Sequence, residues 1–212
     1  MSDLFTSLAD AVTSGDVAEV ARLTTQGLAG GAAPGDVLNK GLMPGMDVVG
    51  QLFRDGELFI PEVLMSARAM GASLDILKPL LTGTDAKGTG TVVIGTVEGD
   101  IHNIGKNLVA MLLEGAGFNV IDLGIDVKPE TFVRATLDHK PDIVAMSALL
   151  TTTMPKMAAT VEALREAGIR DQVKIMAGGA PVSADFVHGI GADEYASDGP
   201  TAVAKARALV GR

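Results

Sequence analysis

The chain has three histidines and no cysteine, and one histidine stands among neighbours that could support chemistry. His102 lies in the segment Glu98-Gly99-Asp100-Ile101-His102-Asn103-Ile104-Gly105-Lys106-Asn107. An imidazole offers one nitrogen to a metal and the other to a second partner. A carboxylate on that second nitrogen fixes the tautomer and raises the basicity of the first. Asp100, two residues upstream, is spaced for this task, and Gly105 would let a helix or a ligand come close to the backbone. Two later segments gather small and hydroxyl-bearing residues: Ser147-Ala148-Leu149-Leu150-Thr151, with Thr153 just beyond, and Gly178-Gly179-Ala180. Each has a plainer reading when taken alone. His102 could be a solvated loop residue, Ser147 and Thr151 could cap the next helix, and Gly178-Gly179 could be a tight turn. His139 and His188 have no second candidate ligand nearby and receive no role.

These segments fall where an alternating chain would put its loops. Residues 91–97 form a β-branched run suited to a strand buried on both faces. Further strands are expected at 119–123, 142–147, 173–177 and 194–196. Helices are expected at 104–116, 130–138 and 154–167, and from about residues 184 and 201. Five βα units of this kind imply a doubly wound, flavodoxin-like (Rossmann-like) parallel sheet with right-handed crossovers. Ligands of such sheets sit beyond the carboxyl ends of the strands, where the strand order switches. The loops after the first, third and fourth strands hold the three segments singled out above. The first loop lacks the Gly-x-Gly-x-x-Gly spacing of a dinucleotide site.

The first third of the chain differs. Apolar residues recur at helical spacing over residues 3–13, 17–26, 34–53 and 61–81, which predicts a four-helix bundle. Pro34 and Pro61 suit first-turn positions, and Pro44 should kink or split the third helix. The domain division expected is a helical bundle over residues 1–82, a Gly-rich linker over 83–90 and the sheet domain over 91–212.

Bulk properties narrow the function. Apolar residues make up 47% of the chain, aromatic residues only 3%, and the net charge is −9. An acidic balance disfavours binding to a phosphate backbone, so no nucleic-acid partner is expected. The absence of cysteine excludes disulfides, thiolate metal sites and cysteine nucleophiles. No apolar run approaches the roughly 20 residues that cross a bilayer, and the start of the chain lacks the pattern of a signal peptide. The expected setting is cytoplasmic, with no membrane partner.

Asp-x-His-x-x-Gly after the first strand, Ser-x-Leu after the third and paired glycines after the fourth together resemble the cobalamin-binding module of corrinoid proteins. That module occurs in methionine synthase and in the corrinoid proteins of methanol and methylamine metabolism. The resemblance extends to the helical half. Gly41-Leu42-Met43-Pro44-Gly45-Met46-Asp47-Val48-Val49-Gly50 and Phe59-Ile60-Pro61-Glu62-Val63-Leu64 are similar to the cap over the upper cobalt face in methyl-carrying members. Met43, Met46, Met65 and Met70 read either as bundle core or as part of that cap. The resemblance implies a cobalamin bound base-off and His-on, with His102 as the cobalt ligand, Asp100 as its hydrogen-bond partner and Thr153 as an extension of the relay. It implies that Ile104 and Gly105 lie against the cofactor and that Ser147, Leu149 and Thr151 line the pocket for its nucleotide tail. Gly178 and Gly179 would leave room there.

By the same resemblance the chain is a non-catalytic carrier. It would shuttle a methyl group from a substrate-specific methyltransferase to an acceptor methyltransferase acting on a folate or a thiol, with a reductive activase as a further partner. Asp100 would take up a proton as His102 releases cobalt, and the segment 83–90 would serve as a hinge. The alternatives are a cobalamin-dependent sensor or regulator, a mutase cobalamin subunit, and a plain flavodoxin-like domain with no cofactor.

Overall fold

A computed structural model describes residues 2–77, 79–80 and 89–211. The chain forms two compact units, one helical and drawn almost entirely from the first third, the other built on a sheet from Thr89 onward.

The helical unit contains α1 (Ser2–Thr13), α2 (Val17–Ala29), the short α3 (Pro34–Asp36), α4 (Met43–Arg54) and α5 (Ile60–Leu77). Its apolar stripes supply a core that includes Leu8, Val12, Val20, Leu42, Val49, Met70 and Leu77. The Asp16 side chain caps α2 by accepting from Glu19 N–H. Between α3 and α4, residues Val37–Leu42 form a π-helical turn. Pro44 explains it. Proline brings no N–H and crowds the carbonyl four residues back, and the chain widens just ahead of it, with Met43 N–H reaching Leu38 O. The expected kink is thus realised as a π segment inside one continuous stretch. The bundle is also tightened by glycine. A Cβ at Gly45 would lie 2.7 Å from Ala9 O, so α1 and α4 approach to a distance that only glycine permits. The expected end of the last helix beyond residue 80, and residues 83–88 of the expected linker, lie outside the described residues; Gly90 already belongs to the first strand.

The sheet unit follows the expected alternation: β1 (Gly90–Thr96), α6 (Ile104–Gly115), β2 (Phe118–Asp122), α7 (Pro129–His139), β3 (Ile143–Ser147), α8 (Met154–Glu166), β4 (Lys174–Gly178), α9 (Ala184–Gly189), β5 (Glu194–Ala196) and α10 (Gly199–Leu209). All pairings are parallel, in the order β2-β1-β3-β4-β5. The chain moves one way from β1 to β2 and the other way from β2 onward. Right-handed crossovers therefore put α6 on one face and α7, α8 and α9 on the other. On the latter face Val93, Val97, Val144, Met146 and Ile175 pack with Phe132, Met157, Val161 and Leu164. Gly95 is needed there, since a Cβ would meet the Phe132 ring at 2.9 Å. The reversal falls between β1 and β3, whose last residues, Thr96 and Ser147, are register partners.

Candidate functional site

Parallel strands end together, so the loops leaving β1, β2, β3 and β4 share one edge of the sheet. The β1–α6 loop carries Asp100 and His102. Asp100 is fully buried, yet its carboxylate meets five donors. Oδ1 accepts from His102 N–H at 3.0 Å and from the His102 ring Nδ1 at 2.7 Å. Oδ2 accepts from Leu149 N–H at 2.7 Å, Leu150 N–H at 3.2 Å and the Thr153 hydroxyl at 2.8 Å. Burial by itself would raise the carboxyl pKa. The donors outweigh it, led by the Leu149 and His102 N–H groups and followed by the His102 ring and Thr153, and they hold the group well below the ordinary carboxylate range. Asp100 is a fixed anion. Bonding to it at Nδ1 sets the His102 tautomer and leaves Nε2 as the nitrogen available to a ligand, on a side chain 46% exposed.

The hydroxyl of Thr153 is spent in an informative way. Thr153 is the N-cap of α8, but its side chain makes no capping bond; it turns to Asp100 and lies within 2.9 Å of Leu150 O. A threonine cap is ordinarily worth about 1 kcal/mol to a helix. Here that contribution is diverted to the carboxylate, and Pro155 at the second position of α8 removes one of the N–H groups that would have needed an acceptor. Neither Ser147 nor Thr151 caps α8, so the capping reading of those residues does not hold.

The remaining expected site residues lie along the same edge. Ser147, half-buried, ends β3 beside Gly178, which ends β4. Leu149 is 43% exposed, Ile104 is 80% exposed, and Thr151 and Gly105 are exposed. A Cβ on Gly105 would have nothing within 4 Å, so this side is open. Gly178 and Gly179 have a physical reason within the protein itself, beside the room for the tail that the resemblance implies. A Cβ at Gly178 would lie 2.5 Å from Ala196 O, and one at Gly179, where φ is +134°, would lie 1.9 Å from Ala148 O. Backbone approach within the sheet edge requires both glycines, whatever else they make room for. His139 and His188 are exposed.

Several residues that sequence reasoning passed over support the histidine loop. Thr96 is buried at the end of β1 and donates its hydroxyl to His102 O at 2.9 Å. Lys106, in the first turn of α6, is buried and ion-paired with Asp122 at the end of β2, whose other oxygen accepts from Gly124 N–H. Asp126 accepts from Gly99 N–H at 2.7 Å, and its own N–H donates to Asp100 O. The cue present in the sequence was the pair Asp122 and Asp126, two carboxylates flanking a glycine turn beside the first loop.

No group of three or more His, Asp or Glu side chains could hold a metal ion among the described residues. A lone imidazole therefore suits a metal that arrives with most of its coordination sphere already filled. Around His102 the β1–α6, β2–α7 and β3–α8 loops expose Ile101 (70%), Ile104, Ile125, Leu149 and Leu150. Exposed aliphatic side chains gathered at one edge mark a surface meant for an apolar ligand or partner.

Comparison with known proteins identifies that ligand. Residues 90–206 match the family model described as a B12 binding domain, and residues 4–78 match a second model of the same description. Trimethylamine corrinoid protein 1 of Methanosarcina acetivorans is 47% identical over 203 residues, which cover 95% of this chain and 94% of the relative. Dimethylamine corrinoid protein 1 of the same organism is 45% identical over 178 residues, 84% of each chain. Among solved structures, a chain of the methanol:cobalamin methyltransferase complex of Methanosarcina barkeri superposes with a TM-score of 0.88 at 35% identity, covering 99% of this chain and 80% of that one. A cobalamin-binding protein from Desulfitobacterium hafniense gives 0.81 at 31% identity, covering 97% and 98%. The chain belongs to the B12-binding corrinoid proteins, with a helical N-terminal part and a parallel-sheet part, and it binds a cobalamin-type cofactor.

Proposed function

We propose that this corrinoid protein holds cobalamin with His102 Nε2 on cobalt and the cofactor's own base displaced, and that it carries methyl groups between two methyltransferases. One observation carries the reading: a histidine whose Nδ1 is locked to a buried carboxylate, itself locked by Leu149, Leu150 and Thr153. Such a triad orients a metal ligand and has little purpose in a mere solvated loop.

The residues present fit the cofactor. A single imidazole, no further protein ligand set among the described residues, an open side at Gly105 and the exposed aliphatic side chains of Ile101, Ile104 and Leu149 match a metal enclosed in a large apolar macrocycle. His102 would ligate, Asp100 would hold it, and Thr153 would hold Asp100. Ile104 and Gly105 would lie against the cofactor, and Ser147, Leu149, Thr151, Gly178 and Gly179 would border its tail. Bound cobalamin supplies a cobalt centre that accepts and gives up a methyl group; the protein supplies ligation, shielding and presentation.

The donor network also refines the proton path. Asp100 stays ionised at neutral pH because five donors converge on it. The carboxylate is therefore a poor proton acceptor, contrary to the uptake of a proton by Asp100 that the resemblance implies.

Relatives named for trimethylamine and dimethylamine, and a structural neighbour in a methanol:cobalamin methyltransferase complex, support a substrate-specific methyltransferase of the methylamine or methanol kind as one partner. The acceptor methyltransferase and a reductive activase complete the set. In this reading residues 1–82 form the helical domain and 91–212, together with the first strand residue Gly90, the cofactor domain, with the linker between them, in a cytoplasmic protein.

The test is electron paramagnetic resonance of the cob(II)alamin-loaded protein, with the cofactor's own base isotopically labelled. Nitrogen splitting that ignores the label in the wild type and disappears in His102→Ala supports the ligand. Splitting that follows the label sinks the His-on reading.

A further inference from the structure

We infer that Asp126 is a positioning residue for the His102 loop, acting from the side opposite the Asp100 triad; the inference rests on the reading of His102 as ligand. The loop is held by two brackets. The Asp100 side chain ties it to the β3–α8 loop through Leu149, Leu150 and Thr153. That bond set fixes the carboxylate but not the backbone bearing it. The backbone is held within its own turn by Asp100 N–H donating to Val97 O and by Thr96 donating to His102 O, and from outside by the β2–α7 loop. Gly99 N–H donates to Asp126 Oδ1 at 2.7 Å, and Asp126 N–H donates back to Asp100 O at 3.0 Å. A parallel bridge between Val97 and Val127 closes the same junction. Asp126 alone thus grips both sides of the Gly99–Asp100 peptide.

The conformation of this bracket marks it as more than a surface contact. Asp126 has φ +54°, and apart from the helix C-cap Lys140 it is the one non-glycine residue with positive φ among the described residues. Left-handed backbone costs a side-chain-bearing residue roughly 1 kcal/mol, and aspartate and asparagine tolerate it best. A glycine would relieve that cost, and Gly124 two residues earlier does so at φ +85°. The presence of a carboxylate where glycine would be easier is explained by the Gly99 bond. Gly99 itself sits at φ +80°, so losing the acceptor for its N–H removes the side-chain restraint on this turn. Small rotations there swing the Asp100 carboxylate away from the His102 ring, and the ring's tautomer and aim go with it. Metal affinity is sensitive to such outer partners, at about 10- to 100-fold per residue.

Three variants separate the hydrogen bond from the backbone strain. Asp126→Gly removes the acceptor and relieves the left-handed backbone, so it folds. Asp126→Ala removes the acceptor and keeps the strain. Asp126→Asn keeps an acceptor oxygen and tolerates the conformation. The first readout needs no cofactor: nitrogen-15 shifts of the His102 ring in the apo-protein, recorded at a pH high enough for the ring to be neutral, where the wild type should show its proton on Nδ1 and a bare Nε2. We expect the two shifts to move toward a common averaged value in the Gly and Ala variants and to stay apart in the Asn variant. The second readout is the nitrogen splitting of the cob(II)alamin form, lost or weakened in Gly and Ala and restored in Asn, with cobalamin bound about tenfold more weakly in the first two. Wild-type ring shifts and wild-type splitting in Asp126→Gly would overturn the inference, as would an Asn variant as impaired as Ala. Absence of protein-derived splitting in the wild type, with the apo ring shifts still dependent on residue 126, would instead refute the ligand reading and leave the positioning role standing.

Discussion

Replacing Asp100 by asparagine changes one atom in the network, and its consequences can be worked through donor by donor. The carboxylate accepts two donors at Oδ1, both from His102, and three at Oδ2, from Leu149, Leu150 and Thr153. Asparagine keeps one acceptor oxygen and turns the other atom into a donor. With the oxygen toward β3–α8, the new NH₂ faces the His102 backbone N–H and the ring. The backbone N–H is then left without an acceptor, at about 1–3 kcal/mol. The flipped amide orphans two backbone N–H groups and is worse. The bonds that survive lose their charge, which on average separates about 1.5–3 kcal/mol from about 1 kcal/mol, and the relief of burying a neutral group offsets part of this. The net expectation is a loss of about 2–4 kcal/mol. Tyr195, the single tyrosine of a chain without tryptophan, lies in β5 and reports the sheet unit. Its fluorescence in urea should show the midpoint fall by about 1–2 M for a slope near 2 kcal/mol/M.

The same substitution carries a pH signature. The folded Asp100 pKa is depressed, so its stabilisation is fully present above the unfolded value of about 3.9 and is lost as pH falls through the lower folded value. The part of the gap that comes from the Asp100 charge should therefore be lost as pH falls below about 4. In the variant the NH₂ needs an acceptor, and Nδ1 can be one only if the ring proton moves to Nε2, which removes the lone pair that the proposed ligation would use. Apo ring shifts should reveal that exchange, and cobalamin affinity should fall about 10- to 100-fold. An Asn variant with an unchanged urea midpoint, or with Nδ1 still protonated, would refute the five-donor argument.

Thr153→Val removes the third donor to Oδ2 with little change of shape; a loss of about 1–2 kcal/mol in the Tyr195 transition is expected, with Thr153→Ser recovering most of it. Gly105→Ala should leave the apo fold intact or strengthen α6 by up to about 1 kcal/mol, because its Cβ meets nothing; weaker cobalamin binding in that variant, measured by absorbance titration, would then report the cofactor surface itself. Gly179→Ala should instead destabilise the apo-protein by more than about 3 kcal/mol, since its Cβ collides with Ala148 O. The Lys106–Asp122 pair should be asymmetric under urea. Asp122→Ala strands a buried ammonium at about 3–5 kcal/mol, whereas Lys106→Met leaves an Asp122 carboxylate that is already 42% exposed and should cost less than about 1 kcal/mol.

What the sequence could reveal follows from the range of the interactions. Strands buried on both faces read as β-branched runs, and helices as repeating apolar positions, so the order of elements and the edge carrying the loops were legible. So was the Asp100–His102 pair, because two residues of separation suffice to bring a carboxylate to a ring nitrogen. Partners 49 to 53 positions away were not equally legible. The resemblance placed Thr153 near the relay, but nothing local says that its hydroxyl leaves the α8 cap for Asp100, or that two backbone N–H groups of the Leu149–Leu150 turn meet the same oxygen. Backbone donors carry no sequence signal at all. The paired glycines show the converse. Gly178 and Gly179 were recognised at the right place, while the reason visible in the structure is the approach of Ala196 O and Ala148 O.

That contrast bears on how the site works as well as on how it is read. Asp100 is anchored chiefly by main-chain donors and by a hydroxyl, none of which titrates near neutral pH. Its charge and position are therefore set by the fold. On this argument the five donors do more than stabilise the loop: they keep the carboxylate ionised and aim it at the Nδ1 side of His102, which leaves Nε2 facing outward.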